Sequence, residues 1–195
     1  LQTEAERVAQ LHREEGLTVA VIEQEKIFNE FSSGTPDASA YRRLMKMFYD
    51  RAEGNENVRP RYLLLFGDGS YNNRKSMEKL HSPECNMLLT YQSKTSIDER
   101  ESFVIEDYFG FLEDNSGEEI KVDKVCLGIG RFPISSIKNA RLVVDKLYRY
   151  VHDKDFSSWK NNICIAADDG DGAIHAEQAD KGSDTLLLKN TSQPR

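Results

Sequence analysis

An α/β fold, built on a mostly parallel sheet with helices on both faces, is what the order of residues predicts. Three observations carry that prediction. The run Tyr62-Leu-Leu-Leu-Phe66 is five apolar residues long and stops at Gly67-Asp68-Gly69. A strand buried on both faces reads this way when it empties into a polar turn at its carboxyl end. A second apolar run, at 161–167, ends in the same manner at Asp168-Asp169-Gly170-Asp171-Gly172. Between such runs lie stretches with the 3.6-residue period of amphipathic helices, and strands that alternate with helices close a parallel sheet through crossovers.

Taken in order, residues 3–15 place Ala5, Val8, Ala9 and His12 on one helical face, and Gly16 follows as a stop. Leu17 to Ile22 is apolar enough for a short strand, and 24–34 reads as a connector. Thr35-Pro36-Asp37 is a helix start, with Thr35 as cap and Pro36 at the first helical position. Tyr41, Leu44, Met45, Phe48 and Ala52 then form an apolar stripe. After the strand Arg61 to Phe66, the segments Cys85–Tyr91, Phe103–Leu112 and Val122–Ile129 read as further strands, with a hairpin turn at Asp114-Asn-Ser-Gly117. Ser135 or Ser136 can cap a helix that runs to about His152, burying Ala140, Val143, Val144 and Leu147. A last strand, Asn161–Ala167, leads to a helix from Ala173 to about Lys189.

Composition narrows the class. The chain has 195 residues, 30% of them charged and 38% apolar, with a net charge of −7. That length supports one substantial core or a domain and part of another. Nucleic acid is not the expected partner, because phosphate binding needs a basic stripe and Lys and Arg are scattered here. No apolar run approaches the ~18 residues of a membrane span, and no targeting segment is visible. Cys85, Cys126 and Cys164 are too few and too dispersed for a zinc site or a disulfide framework. Cys126 and Cys164 fall in predicted strands, which makes them buried structural thiols by expectation.

Candidate chemistry sits where strands end, because ligands of open α/β sheets lie outside the carboxyl ends. Gly67-Asp68-Gly69 lacks the spacing of a phosphate cradle but offers a carboxylate at a strand end. Its bland alternative is a tight turn in which Asp68 bonds local N–H groups. Asp168, Asp169 and Asp171 crowd three carboxylates into four residues. They repel one another unless a cation or basic group compensates. Such a cluster could take Ca²⁺ or face a substrate, although the EF-hand spacing is absent and a solvated helix-capping loop explains it too. Among the four histidines, His175 is the best placed, one turn into the following helix. Glu106-Asp107-Tyr108 could bring acids inward or form the polar face of an edge strand.

Several segments resemble one family when taken together. Phe28-Asn-Glu-Phe-Ser-Ser-Gly-Thr-Pro-Asp-Ala38, Tyr62 to Tyr71, Asp107-Tyr-Phe-Gly110, Gly128-Ile-Gly-Arg-Phe-Pro133 and Ala166 to Gly172 occur in this order. They resemble the gingipain-type cysteine peptidases, and most of all the sortase-like members of the type IX secretion system of Bacteroidota. The resemblance implies a caspase-like architecture of two side-by-side subdomains, here incomplete. It divides the chain into a non-catalytic subdomain at 1–133 and the start of a catalytic one at 134–195. It implies a thiol peptidase in which a glycine-flanked His and a strand-end Cys form the catalytic pair, with no required cofactor. Those motifs come later in the family's chain than any segment matched here, so no catalytic residue carries over and the piece alone is expected to be inactive. The resemblance further implies peptide or protein substrates, contact with other secretion components, and a cell-surface or outer-membrane location. In arginine-specific members the loop before the helix of His175 supplies an acid to the specificity pocket, which points to Asp168, Asp169, Asp171 and His175 as substrate-facing.

Two other function classes fit the residues. One is a scaffold that binds partners without turnover. The other is a receiver- or phosphatase-like domain using Asp68 with Asp168 and Asp169 around Mg²⁺.

Overall fold

The computed structural model describes residues 1–191 apart from 75–86, 96, 156, 159–161 and 169; for Asp171 and 185–191 only the backbone is described. The chain divides after His152 into two compact units.

In the first unit, helix α1 (Gln2–Glu14) packs on α4 (Ile137–His152). Val8, Ala9 and Leu11 are buried on the one, Ala140 and Val144 on the other. Glu4 is buried with them, and its carboxylate is held by Arg7 at 2.6 Å and Arg141 at 3.5 Å. Burying that charge is tolerable because it is paired. Gly16 ends α1 at φ +92°, where the amides of Gly16 and Leu17 return to the carbonyls of Arg13 and His12. The strand predicted at 17–22 does not form. Arg13 donates twice to the Val19 carbonyl, at 3.1 and 2.8 Å, and holds this segment beside α1 rather than in a ladder.

The predicted connector is a helix, α2 (Gln24–Phe31), with Ile27 and Phe28 buried. It ends where Ser33 and Gly34 take positive φ and the Gly34 amide bonds the Phe28 carbonyl. Helix α3 (Ser39–Arg51) starts later than Thr35 and Pro36 predict; Asp37 Oδ1 accepts from the Ser39 amide at 2.8 Å. Tyr41, Leu44 and Met45 are the buried part of its stripe, while Phe48 is 40% exposed.

Strand β1 (Tyr62–Phe66) pairs in parallel with β2 (Gly128–Phe132), in the register Tyr62↔Gly128 through Phe66↔Phe132. Gly128 allows a close approach there, since a Cβ would lie 3.0 Å from the Tyr62 ring. One face of the pair, carrying Leu63, Leu65 and Ile129, packs on a core of Phe28, Tyr41, Leu44, Leu89 and Phe109. Tyr62 and Leu64, on the other face, are 70% and 40% exposed. β2 begins six residues later than the predicted strand at Val122, because the Cys126 amide is taken by the Gly110 carbonyl at 2.8 Å.

The two predicted strands between β1 and β2 contract to single bridges. Met87 bridges Asp68 in parallel, and Gln92 bridges Val104 in antiparallel; residues 85 and 86 lie outside the described residues. Phe103–Leu112 is mostly irregular, with a 3₁₀ turn at Asp107–Gly110. Its apolar residues build core instead of ladder: Phe109, Phe111 and Leu112 are buried, and Tyr108 stacks on Tyr91 with ring centroids 3.5 Å apart.

In the second unit, residues 162–167 have no ladder partner among the described residues, and Ile163 is 70% exposed. A 3₁₀ turn at Asp171–Ala173 leads into α5 (Ile174–Thr191), which continues through Gly182. The α/β class and the parallel pairing agree with the sequence prediction; what contracted is the extent of the strands.

Candidate functional site at the carboxyl ends of the strands

The turn after β1 is built by backbone bonds to the loop that follows β2. The Gly67 amide donates to the Phe132 carbonyl and the Asp68 amide to the Ile134 carbonyl, both at 3.1 Å. The Asp68 carbonyl accepts from Leu88 at 2.7 Å, and its carboxylate accepts from the Gly69 amide at 2.8 Å. Asp68 thus sits in a tight turn and bonds a local N–H group.

Arg131 fills the space beneath this turn. Its side chain is 12% exposed and forms a two-pronged pair with Glu106: Nε to Oε1 at 2.7 Å and Nη2 to Oε2 at 3.1 Å. Nη1 also donates to the carbonyls of Gly67 (3.2 Å) and Asp68 (3.3 Å), and Nη2 to that of Leu89 (3.2 Å). The five donors of a guanidinium suit such a junction better than an ammonium does. Gly69 lies against the clamp, where a Cβ would meet Thr90 Cγ2 at 2.7 Å and Arg131 Cζ at 3.3 Å. Thr90 is buried, donating to the Ser70 carbonyl at 2.7 Å while Asn73 bonds its backbone on both sides.

Tyr41 closes the same neighbourhood from α3. Its hydroxyl donates to Gln24 Oε1 at 2.9 Å and accepts from the Leu89 amide at 3.3 Å, and Gln24 Nε2 reaches the Met87 carbonyl. Burial pushes the Tyr41 hydroxyl far above its usual pKa, so it stays a neutral donor.

Sequence reasoning found Gly67, Asp68, Gly69 and Glu106 but missed Arg131. The signal was available: Arg131 is the one charged residue in an otherwise apolar and glycine strand. A cation in that position must find a carboxylate or leave the core. Asp107, beside Glu106, is exposed.

The second candidate cluster is of a different kind. Asp168 and His175 are both exposed, His175 as the second residue of α5. Asp169 and the side chain of Asp171 lie outside what is described. Among the described residues, no group of three or more His, Cys, Asp or Glu could hold a metal ion. The expected burial of the thiols fails. Cys164 is exposed, because 162–167 makes no ladder among the described residues, and Cys126 is half-buried beside Tyr49 at the entrance of β2. Cys85 lies outside the described residues.

A parallel strand pair with its carboxyl-end turn on the Gly-Arg-Phe-Pro segment places the chain in a class. The sequence profile of Peptidase family C25 matches residues 1–192, and the chain belongs to that family. The fold is accordingly part of the caspase-like α/β architecture of the gingipain type. Within the family the chain is similar to PorU from Porphyromonas gingivalis, whose dimeric latent form has a crystal structure. The two share 42% identity and superpose with a TM-score of 0.69 over 84% of this chain, which spans 16% of that protein's length. No curated protein sequence matches the chain. No helix among the described residues is long and apolar enough to cross a membrane.

Proposed function

We propose that the chain forms a supporting, non-catalytic part of a thiol-dependent endopeptidase of the PorU kind, and that by itself it does not cleave peptides. One observation carries this reading. The edge where an open α/β sheet keeps its chemistry is filled here by the Arg131–Glu106 clamp, whose donors are spent on carbonyls of the surrounding turns. A site that must admit a peptide carbonyl needs free donors and a free nucleophile at that edge. The likeness to PorU supports the peptidase context. On that likeness the substrates are proteins, the processing acts on secretion signals of cargo, and the location is the cell surface or outer membrane.

Incubating the 195-residue chain with a library of fluorogenic peptides tests the reading. The expected result is no turnover with or without thiol alkylation. Hydrolysis that iodoacetamide abolishes would overturn it.

The acidic loop belongs to the same reading as a specificity element. In a C25 peptidase that carries this region, Asp171→Ala is expected to change the preferred cleavage site. Unchanged preference and rate would remove Asp168, Asp169, Asp171 and His175 from that role.

A further inference from the structure

The amino ends of β1 and β2, opposite the clamp, hold a groove of about 490 Å³ lined by Glu56, Arg59, Arg61, Tyr62, Val125 and Cys126 among others. Among the described residues neither of its two arginines holds a carboxylate, whereas Arg7, Arg13, Arg43, Arg131 and Arg141 do. Arg59 instead lies 4.5 Å over the Tyr49 ring and donates Nη2 to the Tyr49 hydroxyl at 3.1 Å. Its Nε–H is buried with no acceptor. The Arg61 side chain is exposed and has no hydrogen-bond or ion-pair partner among the described residues. Among the described residues the Arg59 Nε–H is the only buried side-chain polar atom without a hydrogen-bond partner. Beside them Tyr62 is 70% and Val125 42% exposed, an apolar wall next to a cationic floor.

We propose that this groove binds a carboxylate-bearing polypeptide segment, an acidic side chain meeting Arg59 and Arg61 while an apolar neighbour lies against Tyr62 and Val125. A planar guanidinium fork matches a carboxylate in two-pronged geometry. An exposed tyrosine ring supplies contact area with little loss of side-chain freedom. Glu56 lines the same groove, pairs with neither arginine, and is the chain's own competitor for them. The site lies at the strand ends away from the clamp and does not depend on the peptidase reading.

Titrating the 195-residue chain with acetyl-Leu-Glu-Glu-Leu-amide, followed by NMR, tests the proposal. The neutral control replaces both Glu with Gln. Saturable binding of the acidic peptide is expected, weakening with added salt. The control and the Arg61→Met variant should each bind roughly tenfold more weakly or worse. Glu56→Gln should bind the acidic peptide more tightly than the unaltered chain. Arg59→Met should abolish binding; if that variant does not fold, Arg61→Met and Glu56→Gln carry the test, since neither side chain has a hydrogen-bond or ion-pair partner among the described residues. Equal binding of the two peptides would overturn the proposal. So would an Arg61→Met chain that binds as well as the unaltered one, or no saturable binding in both the unaltered chain and Glu56→Gln.

Discussion

Two Gly-Asp turns with nearly the same sequence signature end up in opposite physical states. Gly67-Asp68-Gly69 follows five apolar residues and is locked from below by Arg131, from the side by Ile134 and Leu88, and internally by its own carboxylate. The turn that begins at Asp168 follows an apolar run as well, but that run makes no ladder among the described residues and Asp168 is exposed. A strand-end turn becomes a fixed site only when its strand is paired and a neighbouring side chain takes its carbonyls. The signature in the sequence is common to both; the partner that converts one of them into a rigid junction lies 63 residues away from Asp68.

The largest test of that difference removes the partner. Arg131→Met leaves the Glu106 carboxylate without its counter-charge and takes a donor from the carbonyls of Gly67, Asp68 and Leu89, of which Asp68 keeps the Leu88 amide. Urea unfolding should show a loss of about 3 kcal/mol. Arg131→Lys should recover less than half of it, because a single ammonium cannot reproduce the fork. A loss under about 0.5 kcal/mol, the range of ordinary surface changes, would mean that the clamp is ornamental.

The two turns can then be compared through their glycines. Gly69→Ala should cost about 1–3 kcal/mol, because its Cβ would press on Thr90 at 2.7 Å and the backbone is held on both sides. Gly172→Ala meets nothing within 4 Å and suffers only from its φ of +71°, about 1 kcal/mol. Thermal melts of both variants check the order; the reverse order would show that the second turn is the more constrained.

The smallest effect separates fixed from loosely tethered acids. Lys46 donates to Asp114 at 2.9 Å, and this hydrogen bond holds the Asp114 carboxyl below its ordinary pKa of 3.8. A lowered folded-state pKa stabilises above the unfolded value and is lost as pH falls through the folded one. The same bond, with that to Asp50, raises Lys46 above 10.5, a contribution present below the unfolded value and lost as pH rises past the folded one. Lys46→Met should therefore lower Tm by about 1 °C or less between about pH 4 and 10, and by less at more acid pH, where only its bond to the Leu112 carbonyl at 3.2 Å and its stem remain. An undiminished difference at pH 2 would assign the effect to that bond and the stem rather than to the carboxylates.

Much of the fold was legible along the chain. Helices α1, α3 and α4 follow from apolar stripes, and β1 from its unbroken apolar run. The helix α2 was missed because eight residues give too few periods for a stripe to stand out, although Ile27, Phe28 and Phe31 share a face. The over-long strands have another cause. Cys126 and Val19 have strand-like neighbours, but a distant carbonyl or guanidinium claims their backbone groups before a ladder can. At the candidate site, Gly67, Asp68, Gly69 and Glu106 were visible as residue types, whereas the guanidinium that joins them was not.

Residue order alone specifies the α/β class, the parallel pairing, the place of every helix but α2 and the membership of Peptidase family C25. Those properties depend on period, apolar runs and ordered motifs, all of which are local or linear. Only the tertiary structure decided that Arg131 and Glu106 meet, that Tyr62 and Leu64 face outward, and that Arg59 keeps a buried N–H without an acceptor. Each of these depends on which groups from distant segments arrive within about 3 Å, the reach of a hydrogen bond, and no one-dimensional pattern encodes that distance.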